Sequence, residues 1–395
     1  MKIKVGAIFG GESVEHEVSI ISAIQAMKTM DDDKYEVIPI YISKEREWYT
    51  GDVLKEIDNY QDLELLKKYA TKVVLYNKDN AFVLQTKGAI KRIVNTIDIA
   101  FPIVHGTNVE DGTLQGYLSL IGIPYVGSSI YASVVGQDKV FMKQIFASSN
   151  IPITKYVWFF DNEYQEDSET IMKKITKLKY PLIVKPATLG SSVGISKANN
   201  KAELKDAIEE ALQYDTKIVV EEVVNNLIEV NCSVLGNYEY QQTSEIEEVM
   251  STDEFLSYRD KYISKGSKAP VTKGMLSTNR IIPARISDDM REQVISLAKE
   301  VFRVLNTSGV CRIDFLIDGK AKKVYVNEIN TIPGSLSFYL WEKTDKNYTE
   351  LIDDLINLAI KRYKKHGKMI FSFDTNILTH HGGLKEMKGS KSFRK

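Results

Sequence analysis

Val310-Cys311-Arg312-Ile313-Asp314-Phe315 and Val326-Asn327-Glu328-Ile329-Asn330-Thr331-Ile332-Pro333-Gly334 decide how this chain is read. Both are apolar runs broken at alternate positions by polar groups, as in strands with one wet face. Arg312 and Asp314 share a face, as do Glu328 and Asn330, while Ile313 and Ile329 point the other way into packing. On neighbouring strands the four polar groups converge as two carboxylates, an amide oxygen and a guanidinium. All-oxygen ligation suits Mg²⁺, a hard cation that bridges protein carboxylates and nucleotide phosphates. A guanidinium beside it suits the charge on a transferring phosphoryl group. The pair of segments therefore points to ATP-dependent chemistry.

At 395 residues the chain exceeds one ordinary core and implies two or three domains. A formal net charge of −1 favours no large polyanion, so no nucleic-acid partner is expected. Positive charge gathers only at the end, in Lys385, Lys388, Lys391, Arg394 and Lys395, which reads as a solvated tail over residues 366–395. No apolar run approaches the roughly 18 residues of a membrane span. The start, Met1-Lys2-Ile3-Lys4-Val5, lacks a signal-peptide core. Cys232 and Cys311 sit in apolar runs as buried, inert thiols. A cytoplasmic protein is expected.

Strand and helix patterns alternate through the first 135 residues: strands at 2–9, 35–42 and 97–104, helices at 17–30 and 113–121. That order predicts a parallel α/β sheet. A helix at 138–148 follows, then strands at 182–185, 217–221 and 229–235, with a helix at 201–213. Residues 251–278 read as a functional loop, being too long and irregular for an ordinary connection. Strands resume at 279–283 and 309–317, and 348–364 form an amphipathic helix. The expected domains are 1–135, 136–235 and 236–365, followed by the tail.

Leu182-Ile183-Val184-Lys185-Pro186 and the loop Leu189-Gly190-Ser191-Ser192-Val193-Gly194 put a lysine and free backbone N–H groups together, as a phosphate flap would; a plain hairpin turn is the other reading of this segment alone. No Gly-Lys-Ser/Thr follows, which disfavours a P-loop. Glu221 and Glu229 flank a connector whose backbone can pair with an adenine edge, or they are surface glutamates. Gly10-Gly11 opens a helix without a dinucleotide fingerprint. His105 and Glu110 fall at the carboxyl edge of the first sheet, where open α/β folds bind ligands.

In this order the segments resemble the D-alanine–D-alanine ligase family of ATP-grasp enzymes over roughly residues 3–363. The motifs are Gly10-Gly11 with Ser13, Glu15 and Glu17-Val18-Ser19; His105-Gly106 with Glu110 through Gly116; Asp138-Lys139; Lys185-Pro186 with Gly190–Gly194; Arg312 and Asp314; and Glu328, Asn330-Thr331 and Pro333-Gly334. The resemblance implies an N-terminal α/β domain followed by a two-part ATP-grasp fold. It implies ATP-dependent joining of two D-alanines through an acyl phosphate, for peptidoglycan. A related ligase with another acceptor such as D-serine, or a non-catalytic nucleotide-binding relative, are the alternatives.

By the same resemblance, Asp314, Glu328 and Asn330 hold two Mg²⁺ ions, with Mn²⁺ as a substitute. Lys139, Lys185, Ser192, Glu221, Val224, Glu229 and Lys261 bind the nucleotide. Glu15, Ser191, Tyr262 and Arg312 are catalytic. His105, Glu110, Gly334, Tyr339 and Leu340 bind substrate, and a homodimer is implied. This chain departs from the family at Phe255-Leu256-Ser257, where a Tyr-Asp pair is usual before Tyr258. It also departs at Tyr339-Leu340, where a Ser-Leu pair usually receives the acceptor's carboxylate; Ser335, Ser337 or the Tyr339 hydroxyl are the available substitutes.

Overall fold

An apolar octapeptide, Ile3–Gly10, forms the central strand β1, with Val5, Ala7, Ile8 and Phe9 wholly buried. The computed structural model describes residues 2–190, 193–250 and 280–372, in two units, Met1–Ile360 and Lys361–Lys395. β2 (Tyr35–Ile42) runs parallel to β1, and so does β7 (Ile99–Pro102) on its other side. The helix His16–Thr29 covers them. Between β2 and β7 the chain lays down β3 (Trp48–Thr50), β4 (Thr71–Lys78), β5 (Ala81–Thr86) and β6 (Ile93–Ile97), all antiparallel, giving the order β6-β5-β4-β3-β2-β1-β7.

The expected parallel domain is therefore a mixed sheet. Tight connections such as Asp79-Asn80, both left-handed, return the chain beside itself and force antiparallel pairing. The expected strand 97–104 is two strands broken at Asp98, whose carboxylate accepts the Lys4 N–H at 2.8 Å.

A second sheet is wholly antiparallel: β8 (Tyr156–Phe160), β9 (Leu182–Pro186), β10 (Ser196–Ala198) and β11 (Lys217–Glu222), in the order β10-β9-β11-β8. Helices Ser168–Ile175 and Lys201–Ala211 cover one face. The third sheet has the order β14-β13-β12-β15-β16: β12 is Leu227–Gly236, β13 Gln241–Val249, β14 Arg280–Ile281, β15 Gly309–Asp318 and β16 Lys323–Asn330.

Its apolar face packs on Asp288–Val304, a helix whose buried Met290, Val294, Ala298, Val301 and Phe302 recur at helical spacing. Cys232 and Cys311 are free and buried in this sheet, and burial pushes the Cys232 thiol up to about 12.

The chain then returns to its beginning. Leu351, Ile352, Leu355, Ile356 and Ala359 of the last helix, Tyr348–His366, join the core of the first sheet. Asp353 accepts from Tyr35 Oη at 2.8 Å and pairs with Lys34. No helix among the described residues is long and apolar enough to cross a membrane.

Ile313 is wholly buried between sheet and helix. Truncating Ile313→Ala should cost about 3 kcal/mol, and Ile313→Val about 1 kcal/mol. Both should appear in that order as lowered thermal midpoints.

Candidate functional site

β15 and β16 pair with Arg312 opposite Asn330 and Asp314 opposite Glu328, so the four polar side chains form one patch on the face away from the helix. A bulge between Asp314 and Phe315 resets the alternation beyond the patch. Arg312 and Asp314 make a bidentate pair, Nε to Oδ1 at 2.7 Å and a terminal nitrogen to Oδ2 at 2.9 Å. Asn330 Nδ2 donates to Asp314 Oδ2 at 3.3 Å. Lys139 Nζ approaches Glu328 Oε2 to 3.7 Å from the helix Lys139–Ser148. These residues line one cleft together with Glu15, His105, Glu110, Gly190 and Gly334.

Opposite this floor, His105 and Glu110 hold the turn that follows β16. The Ile332 carbonyl can only accept, so His105 Nδ1 carries the proton and donates to it at 2.9 Å. His105 Nε2 then accepts from the Ser22 hydroxyl at 3.1 Å, and Ser22 Oγ accepts the Ser335 N–H at 2.9 Å. Burial, ahead of every other influence, lowers the imidazole to about 4, so His105 is neutral.

Glu110 accepts from Gly106 N at 3.0 Å, Ile332 N at 2.9 Å and Thr331 Oγ1 at 3.3 Å. Burial, and next the neighbouring Glu15 carboxylate, raise it to about 7. Glu15 itself lies where a side chain on Gly106 or Gly190 would collide with it; Gly106 also needs its φ of +80°. Those two glycines let three loops meet at one carboxylate.

Asp138 caps the helix Lys139–Ser148 by accepting from Val140 N at 2.9 Å and Phe141 N at 3.1 Å, and its other oxygen takes the Lys217 ammonium at 2.6 Å. The helix start is also tied to the flap: Lys139 Nζ donates to Leu189 O and Gln137 Nε2 to Thr188 O, each at 2.6 Å. Lys185 on β9 faces Glu221 Oε1 at 3.4 Å and Asn327 Oδ1 at 3.3 Å. Glu221, read from sequence as a surface or adenine-binding group, has its carboxylate buried between Lys185 and Lys143. Val224 follows β11 and Glu229 lies on β12 opposite Leu316, both half-buried.

The acceptor half differs from the expectation. Gly334 lines the cleft, whereas Tyr339 and Leu340 are buried away from its lining. The Tyr339 hydroxyl donates to Glu247 Oε2 at 2.8 Å, and the Arg280 guanidinium stacks on its ring at 4.3 Å. Burial, and next Glu247, hold that phenol above its ordinary pKa. Ser335 Oγ donates to Gln25 Oε1 at 2.6 Å, and Ser337 Oγ is buried without a hydrogen bond. Ser191, Ser192, Lys261 and Tyr262, with the loop 251–278, lie outside the described residues.

Sequence reading missed Ser22, Gln25, Lys143, Glu247 and Arg280. Lys143 alone carried a signal, its i+4 spacing from Lys139. Ser22, Gln25 and Glu247 act across more than 80 residues of chain, as Ser22 does on His105 and Ser335, and Arg280 reaches Glu247 and Tyr339 from β14.

A mixed α/β architecture with two sheets around a lysine- and carboxylate-lined cleft is that of the ATP-grasp enzymes, and the comparisons agree. A family model described as D-ala D-ala ligase N-terminus matches residues 4–128, and one described as D-ala D-ala ligase C-terminus matches 145–357. The D-alanine–D-alanine ligase of Thermosipho melanesiensis is 42% identical over 378 residues, 95% of this chain and 98% of that one. That of Acetivibrio thermocellus is 41% identical over 383 residues, 93% and 98%. Among solved structures, the D-alanine-D-alanine ligase from Coxiella burnetii superposes with a TM-score of 0.78 at 28% identity, covering 93% of this chain and 96% of that one. The VanG D-Ala:D-Ser ligase from Enterococcus faecalis gives 0.75 at 31% identity, 91% and 100%. The chain belongs to the D-alanine–D-alanine ligase family.

Glu110 and His105 make a pH test of the clamp. Glu110 keeps its proton in the folded state up to about 7, against 4.5 ordinarily, so its contribution to stability is lost as pH rises through that window. His105 stays neutral down to about 4, against 6.5, so its contribution is lost as pH falls from 6.5 to 4. In the wild type the two slopes oppose each other. Relative to wild type, Glu110→Gln should gain stability with rising pH by about 3 kcal/mol across its window, and His105→Gln with falling pH. Melting curves between pH 4.5 and 7 read both.

Proposed function

We propose that the protein joins two D-alanines at the expense of ATP, making D-alanyl-D-alanine and releasing ADP and phosphate. The observation that carries this is the cross-strand patch of Arg312, Asp314, Glu328 and Asn330 under Lys139, in a chain of this family. A carboxylate is a poor electrophile, so the first D-alanine's carboxylate oxygen takes the γ-phosphoryl group and ADP leaves. The second D-alanine's unprotonated amine then attacks the acyl carbon, and the C–O bond to phosphate breaks.

Lys139 and Lys185 offset phosphate charge, and Arg312 stabilises first the transferring phosphoryl group and then the tetrahedral oxyanion. The Val224 backbone and Glu229 suit the adenine and ribose, and Glu15 the ammonium of the first D-alanine. Gly334, held by the His105 and Glu110 clamp, sets backbone beside the reacting carbon.

Asp314, Glu328 and Asn330 would hold Mg²⁺. Two carboxylates and an amide are what this ion takes from protein when phosphates complete its shell, and the pairing cations Arg312 and Lys139 already mark the site as one that needs positive charge. When bound, Mg²⁺ supplies charge neutralisation and alignment of the phosphates. Ser191, Ser192, Lys261 and Tyr262 complete the site in this reading, which also makes the protein a cytoplasmic homodimer of three domains.

D-serine as acceptor is the second reading, favoured by the commitment of Tyr339 to Glu247 and by the likeness to a D-Ala:D-Ser ligase.

Phosphate release from ATP, Mg²⁺ and a panel of D-amino acids, with products weighed by mass spectrometry, separates these readings. D-alanyl-D-alanine as the main product supports the first; ATP binding with no turnover on any amine would leave only a nucleotide-binding relative. Asp314→Asn and Glu328→Gln should each lower kcat on the order of 10³-fold. Chelation should abolish turnover, and added Mg²⁺ or Mn²⁺ should restore it.

A further inference from the structure

Lys143 sits four residues after Lys139, on the same face of its helix. Its ammonium lies 3.0 Å from Glu221 Oε2 and donates to Thr154 Oγ1 at 3.2 Å, while the Thr154 hydroxyl donates to the same glutamate oxygen at 2.6 Å. The Tyr156 ring lies 5.7 Å away. With its side chain 1% exposed, Lys143 has no path to a ligand.

Glu221 Oε1 is placed differently: it is buried, makes no hydrogen bond, and faces Lys185 Nζ at 3.4 Å. Among the described residues Lys185 has one further contact, at 3.3 Å to Asn327. The glutamate thus has a tight side and a loose side, and the lysine on the loose side is the more exposed, at 11%. Burial alone would raise the Glu221 carboxyl, but Lys143 and then Lys185 outweigh it and hold it at about 2. Burial draws the Lys143 ammonium downward, and Glu221 opposes that.

We propose that Lys143 is a positioning residue for nucleotide binding: it balances the charge of Glu221 permanently, so that Lys185 stays poised on a loose ion pair and can leave for a phosphate without stranding a buried carboxylate. This deepens the function proposed above and rests on it, since Lys185 is assigned to the phosphates there. A buried carboxylate with a single counter-ion resists giving it up, because the charge left behind is neither solvated nor paired. A second ammonium removes that resistance. On this account the Glu221 side chain is the pivot between two lysines.

The test is a double-mutant cycle on the full chain with ATP and Mg²⁺ as the probe. KM for ATP and KM for D-alanine are measured for wild type, Lys143→Met, Glu221→Gln and the double variant. Lys143→Met should raise KM for ATP about tenfold or more where Glu221 is intact. In the Glu221→Gln background it should change that KM by less than about twofold, because no carboxylate is left to strand. KM for D-alanine should stay put in every variant.

An equal effect in both backgrounds would overturn the proposal, as would a Lys143→Met enzyme that melts earlier yet keeps the wild-type KM for ATP. If Lys143→Met does not fold, the double variant decides: a KM for ATP within about twofold of Glu221→Gln supports the pivot, and about a tenfold rise refutes it. A wild-type protein that does not bind ATP would sink the proposed function instead.

Discussion

The segment Thr331–Ser335 is stitched to the first sheet by groups that have no other way to satisfy themselves. Ile332 gives its N–H to Glu110 and its carbonyl accepts a hydrogen bond from His105; Ser335 gives its N–H to Ser22, whose hydroxyl donates to His105 in turn. Each of these groups is buried, where an unmade hydrogen bond costs about 1–3 kcal/mol. The end of β16 is therefore registered against the helix His16–Thr29 by a closed set of donors and acceptors. Everything chemical on β15 and β16 inherits its place from that registration. Glu15, the residue that leads into the same helix, is brought over the floor by the same stitch.

Charge in and behind the cleft is largely paired. Four carboxylates of the floor and the adjoining sheet each meet a cation: Asp314 meets Arg312, Glu328 meets Lys139, Asp138 meets Lys217, and Glu221 meets Lys143 and Lys185. Such pairs add little net stability, because the desolvation of both partners offsets their attraction. Their use is in fixing dipoles and charges before the substrate arrives, so that little reorganises during transfer. Glu110 is held differently. It meets three neutral donors and a like charge, and it is the carboxyl whose proton is held towards neutrality.

The floor is legible in the sequence because it is local: period-two alternation along two strands puts Arg312, Asp314, Glu328 and Asn330 on matching faces, and the observed register sets them opposite one another. The helix Thr113–Ile121 is legible for a like reason, with Gly112 and Gly122 left-handed at its two ends. The antiparallel half of the first sheet is not, because short strands such as Trp48–Thr50 carry too few residues for a period to show. The helix Asp288–Val304 lies outside the expected elements although its apolar residues recur at helical spacing. Tyr339 shows the other limit. Its partner Glu247 is 92 residues away, and nothing in either sequence neighbourhood says that the hydroxyl is already committed.

Ser335, Leu336 and Ser337 take φ values of 49°, 53° and 52° in succession, just after Gly334. Left-handed backbone costs a residue with a Cβ about 1–2 kcal/mol. Glycine would relieve that backbone at Ser335 and Ser337, but Leu336 is buried in the core of the first sheet, where losing its side chain costs more than the strain it removes. At Ser335 the exchange would also loosen the backbone next to Gly334 and remove the hydroxyl from Gln25. Backbone strain and core packing are thus set against each other within three residues, so the left-handed Leu336 is kept by what its side chain fills rather than by what its backbone prefers.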